Sequence, residues 1–582
     1  MKPLDLISSI NVLKNHGVGK IYRLKASIIN LNSDSCVFVV KPSNYGNNLV
    51  IKHLKNISKD HQYKKFSIIY IPGIDYTSEL YMENEGIWEL FSHILQFPYY
   101  LVPIDKDLFS MENDFFYKDV FIEMDDSYNI NIVKALNNIQ QSFYCFQEIH
   151  VFGKVSQQIL SLLKVINSRD PVDEHREDNS DIPTLILFDR TIDIITPLVT
   201  SLNYQNLLDE TYNINSGFIE IPQSLLSKKL LEEKINEIPF NTPSTSNFKI
   251  RLSNDLVFQE IKDSHFSIVS EKLKEKSHEL QISYEKGQTS LTGIKDFIAK
   301  HLKNVKNQQK SLALHISICE SIIQNKADLT EDFHQKIIIE QNILQNQENK
   351  LCWQFFDELL LKKSNPHTIL AIVSLYCLMQ DGLNNKDYTR FQKDFLHIYG
   401  YEFITAFYML TNAKLLYEKS ASLSSKFIGK LSDTSLGVGG GSNWANSVIK
   451  KLSENVEENE SSPVNIKNPC KMSYAYNGVY EPISTNLISN ALNGNQQLIE
   501  EVMKLIPEGS YQKIRNPFDT NIKRSTNHGG TPSKKVLVFF IGGCTHGEIS
   551  TIRLLSKQID REISIATTST LNARKFISAL IE

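Results

Sequence analysis

Cysteine is scarce in this 582-residue chain, and the spacing of its cysteines is as informative as their number. The seven cysteines are scattered, their number is odd, and no two of them lie at C-x-x-C spacing. This pattern indicates neither a disulfide framework nor a cysteine-based zinc site. We therefore expect a protein of a reducing compartment.

The chain also lacks a large net charge and a long apolar run. Its 62 basic and 66 acidic residues leave a formal net charge of -4, which offers no global attraction to nucleic acid or an anionic membrane. The longest strongly apolar run, Val536 to Cys544, is far shorter than the ~20 residues that span a bilayer. The amino-terminal residues have no apolar core typical of a signal peptide. We expect a cytoplasmic protein that meets membranes only through partners or a surface patch.

Common catalytic and nucleotide-binding motifs are missing as well. The chain contains no G-x-S-x-G, H-E-x-x-H, P-loop or G-x-G-x-x-G pattern and no protein-kinase signature. Asp189, at the end of the apolar stretch TLILFD, leaves one alternative open, because haloacid-dehalogenase-type phosphotransferases place a D-x-D pair at such a strand end. Here Thr191 occupies the second acidic position, and the next carboxylate is Asp193. We expect Asp189 and Arg190 to anchor the strand end, and we predict no metal or cofactor site.

A glycine-bearing turn, FFIGGCTHGEIS, follows another apolar strand. Gly542 and Gly543 are compatible with a phosphate-binding turn. Thr545 and Glu548, however, form the T-x-x-E pattern of a capping box at the start of a helix. The box accounts for both polar residues without a ligand, so we predict a helix N-cap at this turn.

Apolar runs in two parts of the chain predict a parallel α/β fold. In the first part, Cys36–Val40, Phe66–Pro72 and Val120–Met124 indicate strands, and residues 87–94 have helical spacing. The second set of strands comes from both ends of the chain: EIHVFG, TLILFD, VLVFFIGG and ISIATT. A sheet built in this way requires a large insertion between about residues 215 and 510, whose spacing is mainly helical. We predict a multi-domain α/β protein with two parallel α/β sheets and a large, mainly helical insertion.

Two features of the insertion are candidates for binding. From Glu271 to Lys310, nine lysines against five acidic residues leave a local excess of four positive charges. Such a face is either solvated surface or a platform for an acidic amphipathic helix. Farther along, Tyr401, Ile404, Tyr408 and Leu415 recur near one side of a predicted helix, for which core packing is the simplest explanation.

Five stretches together resemble the Sec/Munc (SM) family, the regulators of SNARE-mediated membrane fusion. They are LILFDRTIDIITPLVTSLNYQNLLDETYNI, VLVFFIGGCTHGEISTIRLLS, IKDSHFSIVSEKLKEKSHELQISYE, IYGYEFITAFYMLTNAKLL and YNGVYEPISTNLISNAL. The resemblance covers nearly the whole chain and is greatest to the vacuolar protein sorting class C branch, the SM subunit of the HOPS and CORVET tethering complexes. It leaves open which of two paralogous sub-branches the chain represents.

The resemblance implies a function and a domain plan, in which the domains together form an arch. The protein would be a non-catalytic template for SNARE assembly, associated peripherally with late endosome, lysosome or vacuole membranes through its partners. Its N-terminal α/β domain would span residues 1–130, and its central α/β domain residues 131–215 and 510–582. A helical hairpin region at 216–355 would carry the SNARE platform, and a helical region at 356–509 would dock a solenoid subunit of the tethering complex.

The same resemblance implies contact residues for each partner. The lysine-rich stretch would lie at the SNARE platform, where Lys295, Lys300, Lys303 and Lys306 are the candidates for SNARE contact. Tyr401 and Ile404 would then contact the solenoid subunit instead of filling a core.

Overall fold

The structure is a computed structural model. It describes residues 10–22, 24–27, 35–57, 65–143, 145–169, 183–222, 225, 247–286, 302–327, 330–419, 443–454, 465–515 and 534–581. Within these ranges the strands are β1 (Ser35–Val40), β2 (Lys65–Tyr70), β3 (Phe91–Gln96), β4 (Val102–Pro103), β5 (Leu108–Ser110), β6 (Glu148–Phe152), β7 (Thr184–Asp189), β8 (Phe218–Pro222), β9 (Asn247–Arg251), β10 (Tyr511–Arg515), β11 (Lys535–Ile541), β12 (Cys544–Thr545), β13 (Glu562–Thr567) and β14 (Thr570–Leu571).

The α-helices of the same ranges are α1 (Ile10–Asn15), α2 (Asn44–Ile57), α3 (Tyr76–Asn84), α4 (Asn129–Ser142), α5 (Lys154–Arg169), α6 (Tyr204–Tyr212), α7 (Leu256–Ile261), α8 (Phe266–Lys286), α9 (Leu302–Ala327), α10 (Thr330–Leu344), α11 (Asn349–Leu361), α12 (Pro366–Met379), α13 (Asn385–Tyr399), α14 (Ile404–Asn412), α15 (Trp444–Glu454), α16 (Ile483–Asn493), α17 (Gln496–Leu505), α18 (His546–Gln558) and α19 (Ala573–Ile581). In the described part of the chain, none of the helices has the length and apolar character needed to cross a bilayer.

The amino-terminal part forms a small parallel sheet in the order β1-β2-β3. The helix predicted over residues 87–94 is wrong, because Phe91–Gln96 is strand β3 and pairs with β2 in parallel, with Ile94 opposite Ile68. Both side chains belong to the core on one side of this sheet. Pairing with β2 satisfies the backbone of β3, and this tertiary context overrides the helical spacing of its apolar residues.

The strand predicted at Val120–Met124 is also wrong. Tyr117–Ile122 forms a π-helical turn instead. The side chains of Phe116 and Val120 lie four residues apart and are both buried in the core under the central sheet. In a helical turn, side chains four residues apart lie next to each other. On an isolated strand they would lie about 13 Å apart, which is too far for them to pack together.

The central sheet has seven strands in the order β10-β6-β7-β11-β13-β5-β4. The strands predicted from both ends of the chain are confirmed as its centre, since β6, β7, β11 and β13 pair in parallel. Their continuous apolar runs are buried on both faces, as a central parallel strand requires. Two short strands from the first 130 residues, β4 and β5, complete one edge.

The insertion is mainly helical, as predicted. After the β8–β9 hairpin, α8 and α9 pack against each other, and Leu273 and Ile318 lie in the core that they share with α6. Helix α12 is buried on nearly every side, which is typical of an apolar helix at the centre of a helical region. The helices of the insertion therefore form two parts, the α8–α9 hairpin and a bundle around α12.

Candidate functional site

Asp189 is buried against the start of a neighbouring helix and has no access to a substrate. Its side chain is 1% exposed. The backbone N–H groups of Val155 and Ser156 donate to its two carboxylate oxygens at 2.9 Å each, and the Ser156 hydroxyl donates a third hydrogen bond. A Cβ added to Gly153 would lie 2.1 Å from the same carboxylate, so the glycine makes room for it. A nucleophile must face its substrate, and Asp189 instead caps helix α5.

The adjacent arginine joins two distant parts of the chain. Arg190 is fully buried and forms a bidentate ion pair with Glu548, with N–O distances of 2.9 and 2.8 Å. Burial alone would lower the pKa of Arg190, but Glu548 and Asp193 raise it, so the guanidinium stays charged. Glu548 also completes the capping box with Thr545, which confirms the N-cap predicted for α18.

A third stretch joins the same network. The backbone N–H of Ser484 donates to Asp193 at 2.9 Å, and its hydroxyl donates to Glu548 at 2.5 Å. Three of the stretches that carry the family resemblance thus meet in one buried polar network. The network joins these three stretches inside the fold, and the described residues contain no cluster of side chains suited to a metal ion.

His546, the next buried group at this turn, provides a test of the structure by pH. Burial lowers its pKa to about 4, whereas an unfolded histidine titrates near 6.5. Between pH 6.5 and 4, His546 is therefore protonated in the unfolded state but neutral in the folded state. Because protonation stabilises only the unfolded state, the free energy of unfolding falls as the pH drops towards 4. The full loss from this residue is about 3 kcal/mol. We expect His546→Gln to remove this component of the loss.

The difference between wild type and His546→Gln is the quantity to measure, by urea denaturation at several pH values between 7 and 4. Burial also raises the pKa of Asp189 to about 7, so the folded state takes up a proton there as the pH falls, and this raises the free energy of unfolding over the same pH range. Because Asp189 is present in both proteins, its contribution cancels in the difference between them. Parallel stability profiles for the two proteins would contradict the buried, neutral state of His546.

Exposed apolar, polar and charged side chains form a stripe along one side of α9 in the hairpin. Residues three or four apart on this helix are exposed: Lys306, Gln309, Ala313, Ile316, Glu320 and Ile323. The side chains of Ile316 and Ile323 are 39% and 54% exposed, two turns apart. The opposite side of α9 carries Ile318 and Ile322, which are fully buried. The stripe is long enough for a second helix to lie along it. The two isoleucines offer apolar contacts to such a helix, and charged residues lie next to them.

The predicted SNARE-contact lysines are only partly placed by the structure. Lys306 is exposed on the stripe of α9. Lys303 lies on the same helix, one turn earlier, and Lys295 and Lys300 lie outside the described residues. On α8, Lys276 is engaged in ion pairs with Glu260 and Glu279, so it is part of the hairpin's own structure. Sequence reasoning missed Ile316 and Ile323, although their i, i+7 spacing was visible.

A second exposed apolar face lies in the helical bundle. The side chains of Tyr401, Ile404 and Tyr408 are 65%, 55% and 67% exposed. The opposite side of α14 buries Phe407 and packs on the carboxy-terminal helix α19. Core packing, the simplest explanation from sequence, is therefore wrong for these three side chains. They form one apolar patch on the surface.

Leu415 does not belong to this patch, although its helical spacing predicted that it would lie on the same side as Tyr401, Ile404 and Tyr408. For Leu415, the core packing predicted from the sequence is confirmed. Helix α14 ends at Asn412, and Lys414 takes a left-handed conformation with φ of 56°, which turns the chain inward. Leu415 is fully buried as a result. Beside the patch lies a shallow cavity of about 190 Å³ that is lined by His367, Glu402, Phe403, Thr405, Ala406 and Ile581.

Comparison with known proteins matches this fold over its whole length. The model of the Sec1 family matches residues 1–579. Vacuolar protein sorting-associated proteins 33B and 33A of Rattus norvegicus are each 26% identical to the chain, over 599 and 587 residues, and each alignment covers 100% of the chain and 92% of the relative. The solved structure of the SM protein Vps45 in complex with the Qa SNARE Tlg2 has a TM-score of 0.63 at 14% identity, covering 100% of this chain and 92% of that chain.

Proposed function

The chain belongs to the Sec1 family, and from that premise we propose that it is a non-catalytic protein that binds SNARE helices and templates their assembly in vacuolar or endosomal sorting. The names of its relatives support the sorting pathway, and the SM protein solved with a Qa SNARE supports the class of partner. The buried state of Asp189 argues against the phosphotransferase alternative.

The observation that carries this proposal is the exposed stripe of α9. A SNARE helix needs a partner surface that offers apolar contacts at helical spacing, because helix-in-groove recognition uses residues at i, i+3, i+4 and i+7. Ile316 and Ile323 provide such contacts, and Lys306 and Glu320 flank them with charges of both signs. The lysines at 295, 300 and 303 remain candidates for steering an acidic helix towards this side of the hairpin.

The physical contribution of such a template is pre-organisation. SNARE helices that fold on binding must lose conformational freedom, and a fixed surface lets them lose it before they meet each other. Two helices held side by side on the hairpin would need no further search for register. The template lowers the barrier to assembly without making or breaking a covalent bond.

The double variant Ile316→Asp/Ile323→Asp tests the stripe. We expect it to weaken binding of SNARE helices by about 30-fold, which corresponds to about 2 kcal/mol of lost apolar burial. The variant should remain folded because both side chains are already partly in contact with water. The measurement is titration calorimetry with the purified cytoplasmic SNARE domains of the same organism's vacuole or late endosome.

A matched control for this variant is Ile338→Asp. Ile338 is 42% exposed on α10, outside the stripe, so the same chemical change there should leave SNARE affinity unchanged. Equal affinity of the stripe variant and wild type would remove α9 from the proposal. Equal losses in the stripe variant and the control would show a general effect of the added charge.

We also propose that the protein works inside a tethering complex. The patch of Tyr401, Ile404 and Tyr408 is an apolar surface of the kind that partner helices cover. The implied partner is the solenoid subunit of a class C tethering complex of the HOPS or CORVET type. The complex would hold the protein peripherally at late endosome, lysosome or vacuole membranes and raise the effective concentration of SNAREs there.

A further inference from the structure

The hairpin leaves the body of the protein beside a cluster of buried charges centred on Arg553. This arginine, on α18, is 9% exposed and donates to four carboxylate oxygens. Two of them belong to Asp107, with N–O distances of 2.7 Å each, and one each to Asp105 at 3.0 Å and Asp263 at 2.9 Å. We refer to Asp105, Asp107, Lys262, Asp263 and Arg553 as the Arg553 cluster.

The cluster connects three elements that are far apart in the sequence. Asp105 and Asp107 lie in the turn between β4 and β5, at the edge of the central sheet. Lys262 and Asp263 lie in the link between α7 and α8, where the hairpin begins, and Lys262 donates to Asp105. Arg553 thus holds the first residues of the hairpin against both the sheet edge and a helix of the central domain.

Main-chain hydrogen bonds fix the same point of entry. The backbone N–H of Gln205 donates to the Lys262 carbonyl at 3.0 Å, and that of Tyr204 donates to the Ser264 carbonyl at 2.9 Å. The backbone N–H of Phe266, the first residue of α8, donates to the Leu202 carbonyl at 2.8 Å. The hairpin therefore starts from a segment, residues 202–205, that belongs to the central domain.

Helix α10, which follows the hairpin in the chain, is attached to residues next to that segment. Glu340 of α10 is 3% exposed and accepts hydrogen bonds from the backbone N–H and the hydroxyl of Thr200, at 2.9 Å each. Lys336, one turn earlier, donates to the same hydroxyl at 2.9 Å. The start of the hairpin and the helix that follows it are thus both attached to residues 200–205, and the Arg553 cluster holds the start of the hairpin.

We propose that Arg553 is a positioning residue, which fixes the direction of the α8–α9 hairpin relative to the central sheet and thereby orients the exposed stripe of α9 for SNARE helices. This inference rests on the proposed function. Arg553 is too buried to touch a SNARE helix, so it acts only through the hairpin. Buried ion pairs contribute little to net stability compared with apolar packing but impose geometry, which suits a residue that sets an orientation.

The bidentate contact with Asp107 makes lysine a poor replacement for Arg553. A lysine keeps the positive charge in the cluster but has no planar fork, and its compact ammonium group, with three donors, cannot reproduce the four contacts that Arg553 makes. We therefore expect Arg553→Lys to fold, because no carboxylate is left without a nearby cation, while the hairpin loses its fixed direction. Asp263→Asn is a second variant, which loosens the hairpin side of the cluster alone.

The experiment measures the direction of the hairpin without using any SNARE. Spin labels are attached to cysteines at two exposed positions, Lys274→Cys on α8 and Lys557→Cys on α18. Double electron–electron resonance then measures the distance between the hairpin and α18, which packs beside the central sheet. The background carries serine at Cys36, Cys145 and Cys470, the cysteines that are not buried. Wild type should give one narrow distance distribution, and Arg553→Lys and Asp263→Asn should give broader or shifted ones.

The same variants are then titrated with the purified SNARE domains. We expect about a five-fold loss of affinity for Arg553→Lys, the size of a typical coupling between distant groups. Lys467→Gln is the control, because it breaks only an exposed ion pair to Glu271 on the hairpin and should change neither measurement.

Unchanged distance distributions in both variants would overturn the inference, and so would broader distributions with wild-type SNARE affinity. A wild-type protein that bound no SNARE domain would refute the proposed function instead. In that case the distance measurement still decides whether Arg553 fixes the hairpin, because it depends on no partner.

Discussion

Replacing Arg190 with alanine is expected to lower the free energy of unfolding by about 3–5 kcal/mol, the usual cost of removing one partner from a buried ion pair. Arg190 is fully buried, and its removal leaves the Glu548 carboxylate without its cation, in a site that no water reaches. Burial raises the pKa of Glu548 and Arg190 lowers it. The effect of Arg190 is the larger, because the pKa of Glu548 lies below its ordinary value. Without Arg190, Glu548 must be desolvated unpaired or take up a proton.

Urea denaturation followed by circular dichroism measures this loss. The matched control is Arg390→Ala, because Arg390 pairs with Asp357 at the surface and its side chain is 48% exposed. Exposed pairs contribute about 0–1 kcal/mol, so the control should stay close to wild type. Equal losses for the two variants would contradict the structural role assigned to the buried network.

Replacing Tyr401 with aspartate, or Ile404 with lysine, is expected to abolish binding to the solenoid subunit while the protein stays folded. Both side chains are more than half exposed, so a charge there meets water in the free protein. In a complex the same charge would be buried against apolar groups of the partner. Central aromatic and apolar contacts at interfaces typically contribute about 2–4 kcal/mol each, so we expect affinity to fall by a factor of about 30 to 1,000.

Two further variants make this test specific. Tyr408→Asp should act like Tyr401→Asp, because Tyr408 lies on the same patch and is 67% exposed. Tyr76→Asp should have no effect, because Tyr76 is 74% exposed but lies at the start of α3 in the amino-terminal part. Binding is measured by pull-down of the purified solenoid subunit, and melting temperature is recorded for each variant. Patch variants that melt well below wild type would identify these residues as structural, and wild-type binding would remove the patch from the interface.

The strands at the centre of the fold could be predicted because their signals are local. TLILFD and VLVFFI are continuous apolar runs, and strands buried on both faces need side chains of this kind at every position. The capping box of Thr545 and Glu548 was also visible, since its two members lie three residues apart. Such features depend only on residues that are neighbours in the sequence, so the sequence is enough to predict them.

Features that depend on distant partners could not be predicted from the residues themselves. The ion pair of Arg190 and Glu548 joins residues 358 positions apart, and nothing near either residue specifies the other. Strand β3 has helical spacing and becomes a strand only because β2 lies beside it. Tyr408 and Leu415 share a helical face in the sequence, yet the chain turns between them and leaves one exposed and the other buried.

The candidate binding surfaces show the same limit of sequence reasoning. An excess of lysines pointed to the hairpin, but the structure shows a stripe on α9 in which two isoleucines accompany Lys306. Exposure of an apolar side chain depends on everything that packs around it, so the sequence pattern of Ile316 and Ile323 is compatible with core and surface alike. The resemblance to the SM family supplied the interpretation of Tyr401 and Ile404 that helical periodicity alone did not favour.

The rate at which SNARE domains assemble tests the central claim most directly. Fluorescence energy transfer between labelled Qa- and R-SNARE domains follows that rate with and without the purified protein. Wild type should accelerate assembly, Ile338→Asp should match it, and Ile316→Asp/Ile323→Asp should remove the acceleration while the protein remains folded. An assembly rate that is the same with wild type, with the stripe variant and with no protein present would contradict a templating function.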